Sequence, residues 1–184
     1  MQMAESDDTA RRAAVEDYKR FVETERDPTN PFVSRSFVDP DPSTTHHPYP
    51  LLSAVRAAAG AWDPMGVGPI YGTSDGVIHV GVTPATKRDL LLTVRGAVPE
   101  ANIEVFAAIR SWSLVLAIQD EITIVAIEDP SGSIVSIGSA ETTCTVCVGC
   151  TDVDSRVARA VAERYGDAVE LQYDPGYEDL RTQD

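Results

Sequence analysis

Val80-Gly81-Val82-Thr83 and Val148-Gly149-Cys150-Thr151 decide the fold, because they occupy the same place in two similar stretches of the chain. In each stretch a run rich in β-branched residues, which favour strands, leads into the quoted segment. Apolar residues at helical spacing follow it, and a second strand-like run closes the stretch. Each copy therefore predicts strand, helix, strand, and the copies span about residues 67–107 and 133–173.

The helix of each copy has predicted ends. In the first copy Thr83 is expected to cap the helix and Pro84 to take its first position. In the second copy Thr151 is the expected cap, and Gly166 is expected to end the helix in the left-handed conformation. One apolar face of this second helix is predicted from a spacing of four residues: Val153, Val157, Val161 and Tyr165.

Each copy also carries a leading strand, at residues 70–72 and 134–138. Clusters of turn-forming residues at 73–76 and 139–142 are expected to close a hairpin in each case. The repeated unit is then β-β-α-β. The predicted fold class is α+β: two β-β-α-β repeats form an antiparallel or mixed sheet with the helices on one face. The two copies are expected to be related by a pseudo-twofold axis, either within one sheet or between two small lobes.

The remainder of the chain divides into four parts: an amphipathic helix at 1–26, a proline-rich linker at 27–50, the duplicated domain at 51–175 and an acidic tail at 176–184. Between the copies, alternating apolar residues at 112–118 favour a strand. Asp120-Glu121 would turn the chain into a further strand at 122–127. Asp129-Pro130-Ser131-Gly132 then predicts a second turn.

The composition restricts the class of partner. The formal net charge is −14 and the sequence pI is about 4.5, so phosphate backbones and anionic lipids are repelled. No apolar run approaches the length of about 20 residues that a bilayer requires, and the acidic first residues lack the apolar core of a secretory signal. We therefore expect a cytoplasmic protein that binds neither nucleic acid nor membranes.

The three cysteines are regularly spaced as Cys144-x-x-Cys147-x-x-Cys150. With a fourth ligand (Asp152, His79, His46 or His47) they could hold zinc, and alone they could hold three irons of an iron–sulfur cluster. Strand geometry argues against both, because Cys147 would point to the opposite face from Cys144 and Cys150. Core packing is the favoured interpretation, with a metal site as the alternative.

A second conceivable metal cluster pairs His46 and His47 with Asp39 and Asp41, but adjacent histidines in an extended segment point in opposite directions. His79 alternates with Ile78 and Val80 and therefore lies on the other strand face.

The sequence contains no nucleophile elbow, P-loop or zinc-protease motif. We expect a non-enzymatic, acidic interaction module without a cofactor, which binds a protein in a groove or at a sheet edge. The negative charge makes a basic protein one candidate partner. One alternative is a metal or iron–sulfur protein that uses Cys144, Cys147 and Cys150. Another is a small-molecule sensor or enzyme with a pocket between the copies.

Overall fold

A computed structural model describes residues 2–24, 49–62, 66–86 and 89–176. The helices of these ranges are α1 (Gln2–Thr24), α2 (Tyr49–Trp62), α3 (Leu90–Ala97), α4 (Trp112–Glu128) and α5 (Arg156–Tyr165). The strands are β1 (Val67–Gly72), β2 (Val77–Val82), β3 (Asn102–Ala107), β4 (Ile134–Ala140), β5 (Thr145–Cys150) and β6 (Val169–Tyr173). Most of the predicted linker and tail lies outside the described residues.

The duplication of the β-β-α-β unit is confirmed, and the fold is α+β. The first copy is β1-β2-α3-β3 and the second is β4-β5-α5-β6. In each copy the first two strands pair antiparallel and the last two pair parallel, so each sheet is mixed. The strands form two three-stranded sheets, ordered β1-β2-β3 and β4-β5-β6. A bulge interrupts the first strand of each copy at equivalent places, after Val67 and after Ile134.

The two copies also share hydrogen bonds beyond their strand pairing. In each copy the residue after the second strand donates to the residue that precedes the first strand, and the residue after the third strand donates to the end of the second. The bonds run from Thr83 N to Gly66 O (3.1 Å), from Thr151 N to Ser133 O (3.0 Å), from Ala108 N to Val82 O (2.8 Å) and from Asp174 N to Cys150 O (2.9 Å). The backbone N–H groups of Thr83 and Thr151 therefore make matching hydrogen bonds.

The chain divides into two compact units. The first-copy unit contains the first copy, α2, the start of α4 and residues 141–144. Its helix α2 packs on α3 and β1, and its core includes Val55, Ile70, Ile78 and Val94, each at most 1% exposed. The second-copy unit contains the second copy, α1 and α4 from Val115 onward.

The core of the second-copy unit lies between its sheet and its helices. Val146, Val148 and Cys150 alternate along β5 and are fully buried, as strand periodicity requires. Ala158 of α5 and Ile122 of α4 are fully buried as well. Gln119 of α4 accepts a hydrogen bond from the hydroxyl of Ser139 on β4, which ties this helix to the sheet.

Helix α1 docks on α4. The Tyr18 hydroxyl donates to Asp120 Oδ1 at 2.9 Å, and Val15 is 4% exposed. Ala10 and Ala14 are exposed, so they lie outside the buried side of this helix. Within the described ranges no helix combines the length and the apolar content needed to cross a membrane.

The predicted strands at 112–118 and 122–127 are wrong, because these residues form the single helix α4. Trp112, Val115, Leu116 and Ile122 are its most buried side chains and recur at helical spacing. Asp120 and Glu121 are consecutive residues on the helix and do not form a turn. The apparent alternation arose because α4 carries apolar residues on several sides.

Both predicted helix caps are displaced. Ser155 caps α5, since its Oγ accepts from Ala158 N at 3.2 Å, whereas Thr151 lies four residues earlier in the connecting loop. Helix α3 begins at Leu90 after Asp89, and Thr83 forms a separate turn with Thr86. Gly166 does follow α5 with a positive φ of 55°, but its ψ of −127° lies outside the left-handed helical region and a short 3-10 turn follows.

Of two predicted turns in the second half of the chain, one is confirmed and the other is displaced. The Asp129 turn is confirmed, with Gly132 N donating to Asp129 O at 3.3 Å. The second hairpin turns at residues 141–144, two residues later than predicted, because β4 continues to Ala140.

Candidate functional site: the α4–α5 groove

A groove of ≈ 560 Å³ lies between two helices of the second-copy unit. Its volume is within the range of about 300–1,000 Å³ that is common for binding pockets. We call it the α4–α5 groove. The lining residues are Val125, Asp129, Pro130 and Ser131 from the end of α4 and the following turn, and Arg156, Val157, Ala160, Val161, Arg164 and Tyr165 from α5.

Helix α5 supplies one wall because its lining residues recur at intervals of three or four and so share a face. Ser155 fixes where this helix begins, and therefore which side chains turn toward the groove. Val161 is 2% exposed and forms part of the core, whereas Val157 is half-buried and Ala160 is exposed. Within about one turn of α5, the residues of this wall therefore range from buried to exposed.

The turn after α4 supplies the second wall, and it is held by one carboxylate. Asp129 accepts from the backbone N–H and the hydroxyl of Ser131, and from the same two groups of Ser133, at 2.6–3.0 Å. Burial opposes ionisation of Asp129, but these hydrogen bonds outweigh it and lower its pKa to about 2. Asp129 is therefore ionised near neutral pH, and its acceptor positions are occupied from within the turn.

The C-terminal end of α5 is attached to α4 by Glu121. Its Oε2 accepts from Arg164 Nη2 at 2.6 Å and from the Tyr165 hydroxyl at 2.7 Å. Burial and the Glu121 carboxylate raise the pKa of Tyr165 to about 12, so this hydroxyl remains a donor. The Arg164 guanidinium also lies 5.2 Å from the centre of the Tyr165 ring. Both ends of the groove are thus fixed by polar contacts.

Three charged side chains line the α4–α5 groove, and they differ in their contacts. Asp129 is satisfied within its turn, and Arg164 is paired with Glu121. Arg156 forms no hydrogen bond or ion pair with any other residue in the described part of the chain. The remaining lining is mainly aliphatic. The groove therefore offers an apolar surface with one guanidinium available to a ligand.

The cysteines occupy unlike positions. Cys150 is fully buried on the core side of β5, whereas Cys147 is half-buried on the other side. Cys144 is not in a strand; it lies in the hairpin turn with a φ of +56°, where the first copy has Gly76 with a φ of +84°. Among the residues that the structure describes, no three His, Cys, Asp or Glu side chains are placed to share a metal ion. His46, His47, Asp39 and Asp41 lie outside these residues.

Both strand thiols are held in the protonated form. Burial, followed by the charge of Glu170, raises the pKa of Cys147, and burial, followed by the charge of Asp152, raises the pKa of Cys150. Thiolates are the forms that bind metals and attack electrophiles. The surroundings of these two cysteines therefore do not favour that chemistry.

His79 lies on the side of its sheet away from the core, as the alternation predicts. Its ring stacks on Tyr71 at 5.0 Å, and its Nδ1 is 3.9 Å from Glu104. The Phe106 ring also lies near Tyr71, with their ring centres 5.7 Å apart. Tyr71 and His79 therefore direct one face of each ring at each other.

The serines of the predicted turns have structural partners. Ser131 and Ser133 donate to Asp129, and Ser139 donates to Gln119. None of these contacts is the serine–histidine pair that nucleophilic catalysis requires.

Comparisons with protein-family models, with curated proteins and with solved structures gave no match. One half of the α4–α5 groove could be found from the sequence, since Val157, Val161 and Tyr165 belong to the predicted apolar face of α5. Val153, the fourth residue of that face, lies in the preceding turn. The other half was missed because α4 was interpreted as strands.

Proposed function

We propose that this protein is a non-enzymatic interaction module and that its α4–α5 groove binds an apolar segment of a partner protein. The observation that carries the proposal is the composition of the groove: the surface between its charged side chains is mainly aliphatic, and hydrogen bonds fix both of its ends. A preorganised apolar surface binds with a smaller loss of conformational entropy than one that must first be ordered. A partner that covers Val157 would also remove a half-exposed aliphatic side chain from water.

The polar groups of the groove support binding more than catalysis. An effective general base has a pKa near the working pH, and the pKa of Asp129, at about 2, is far below neutrality. The hydroxyl of Ser131 donates to that same carboxylate. Among the lining residues that the structure describes, none is a histidine or a cysteine. These residues thus do not form a paired nucleophile and base.

The overall charge bears on how a partner approaches. A net charge of −14 attracts a basic protein over distances beyond the contact surface, and this attraction is screened within about 8 Å at physiological ionic strength. We therefore propose a partner with a net positive charge, in a soluble compartment such as the cytoplasm. Raising the salt concentration should slow its association more than it weakens the apolar contact.

Affinity capture from source lysate tests the proposal. The bait is the full chain, used at low and at raised salt, beside an Ala160→Gln variant in which a longer neutral side chain occupies the groove. Ala160 is exposed on α5 and glutamine is a good helix former, so the variant should fold normally. We expect a stoichiometric protein partner with the unmodified chain and its loss with Ala160→Gln.

Ala117→Gln is the matched control. Ala117 is exposed on α4, belongs to the same unit and does not line the groove. Its capture profile should equal that of the unmodified chain, and thermal unfolding should show all three proteins equally folded. Recovery of no stoichiometric partner at either salt concentration, or equal recovery with Ala160→Gln, would reject the proposal.

A further inference from the structure

Arg156 distinguishes the α4–α5 groove from a purely apolar surface. It is the first residue of α5, it is exposed, and it borders the groove beside Val157 and Ala160. It has no ion-pair or hydrogen-bond partner among the described residues, whereas Arg159 on the same helix is paired with Asp154 at 3.2 Å. A guanidinium presents several donors in a fixed plane and matches a carboxylate in two-point geometry.

The carboxylates near the groove cannot perform the equivalent task for a basic ligand. Asp129 already receives four donor groups from Ser131 and Ser133, which occupies about as many lone-pair sites as a carboxylate has. Glu121 does not line the groove, and its Oε2 already receives Arg164 and Tyr165. Of the charged groups along the groove, the available one is therefore positive.

The following inference rests on the proposed function. We propose that the α4–α5 groove selects a protein segment that carries an acidic side chain beside its apolar anchors. Arg156 binds the carboxylate of that side chain. The apolar side chains cover Val125, Val157 and Ala160, and the carboxylate lies at the end of the groove where α5 begins. An acidic side chain at this end also faces the N-terminal end of a helix, where negative charge is favoured.

The net charge of the protein does not contradict this selection. The net charge acts on the whole partner during approach, and salt screens it over about 8 Å. The Arg156 contact acts at hydrogen-bond distance on one side chain after docking. A partner that is basic overall and carries an acidic residue within its docking segment satisfies both.

A second depression borders Arg156 on the side away from the groove. It is lined by Asp154, Arg159, Ala160 and Glu163 as well as Arg156. Arg159 and Asp154 form an ion pair there, and neither Asp154 nor Glu163 is within ion-pair distance of Arg156. Four of the five described residues that line this depression are charged, so the apolar anchors are expected on the Val157 side alone.

A random dodecapeptide library displayed on phage tests the inference. The immobilised full chain is the target, and peptides that also bind Ala160→Gln are removed, so that only groove-dependent sequences remain. We expect these sequences to share apolar residues together with Asp or Glu. A synthetic consensus peptide should bind about fivefold more weakly when its acidic residue is replaced by the amide, as a solvent-exposed ion pair predicts.

Two arginine variants complete the test. Arg156→Glu should lose the consensus peptide and favour peptides with Lys or Arg, and it should remain folded because Glu is well tolerated in the first helical turn. Arg159→Glu is the control, since it makes the same charge change on the same helix outside the groove, and it should bind the consensus peptide as the unmodified chain does.

The outcomes separate the inference from the proposed function. Groove-dependent peptides without an acidic preference, or equal binding by Arg156→Glu, would overturn the role of Arg156 and leave the groove as a binding site. The same losses with Arg156→Glu and Arg159→Glu would also overturn it, because the effect would then follow overall charge. If no groove-dependent peptide is enriched, both the inference and the proposed function are rejected.

Discussion

At the scale of single residues, Asp129 is the clearest link between sequence and site. It follows α4 directly, is 9% exposed and holds Ser131 and Ser133 in place through its two oxygens. Turn formation by Asp-Pro-Ser-Gly was predictable, because aspartate at the first turn position accepts from the residues that follow it. That this turn forms a wall of the groove was not predictable, because the second wall comes from residues about 30 positions later.

Asp129→Asn should lower the free energy of unfolding at pH 7 by about 1–2 kcal/mol, because the amide keeps only one of the two acceptor oxygens. The pKa of Asp129 in the folded protein, about 2, lies below the ordinary value of 3.8. The stabilisation is therefore complete above about pH 5 and is lost as the pH falls toward 2. Urea unfolding at several pH values measures the difference between variant and unmodified chain, which should shrink across this interval.

Glu128→Gln is the control for that experiment, since Glu128 is the exposed neighbour of Asp129. It should change the unfolding free energy by less than about 0.5 kcal/mol at any of these pH values. A difference between Asp129→Asn and the unmodified chain that stays constant from pH 5 to pH 2 would contradict the assigned pKa.

Gly149 gives a second prediction at this scale. A Cβ built there would clash with Ser136 Oγ and lie 2.8 Å from Asp174 Oδ2, the two atoms of a hydrogen bond that crosses this glycine. Gly149→Ala should therefore destabilise the protein by about 1–3 kcal/mol in chemical unfolding. Gly138→Ala is the matched control on the neighbouring strand, where a Cβ meets nothing within 4 Å, and it should be neutral or slightly stabilising. If both substitutions change the free energy of unfolding equally, the Ser136–Asp174 hydrogen bond does not cross Gly149 as described.

At the scale of elements, the structure and the sequence-based expectation differ in which residue caps α5. Ser155→Ala removes the oxygen that accepts from Ala158 N and should cost about 1 kcal/mol in thermal or urea unfolding. Thr151→Ala, at the position expected from the sequence, should cost less than about 0.5 kcal/mol, because Thr151 is an exposed loop residue. If Thr151→Ala lowers the free energy of unfolding more than Ser155→Ala does, Thr151 is the cap, as the sequence predicts, and the assignment of Ser155 is wrong.

The two walls of the groove show why one helix was predictable and the other was not. Helix α5 is covered on one side, so its buried residues Ala158 and Val161 contrast with exposed charges and the helical period is visible. Helix α4 contacts α1 through Asp120 and the sheet through Gln119. Because it is covered on more than one side, apolar residues are distributed around it and no single stripe remains. Its β-branched run at 122–127 then resembles a strand.

At the scale of the whole molecule, the duplication was predictable because strand alternation and the β-branched runs recur in the same order in both copies. The choice between one shared sheet and two separate sheets was not, since hydrogen bonds between strand edges leave no periodic signal in the sequence. The copies have also diverged on the sides of their sheets away from the core. Across the strands, the first copy aligns Tyr71, His79 and Glu104, whereas the second aligns Gly138, Cys147 and Glu170. The second copy combines with α4 to form the groove.

Amide hydrogen–deuterium exchange of the captured complex, compared with the free chain, tests the binding role of the α4–α5 groove most directly. Docking of an apolar segment should slow exchange in α5 and in residues 125–131, because the covered backbone opens to solvent less often. Exchange in the first-copy unit should stay unchanged. Protection confined to the edge strands β3 or β6, or to the first-copy unit, with none in α5, would contradict the assignment of the groove as the binding site.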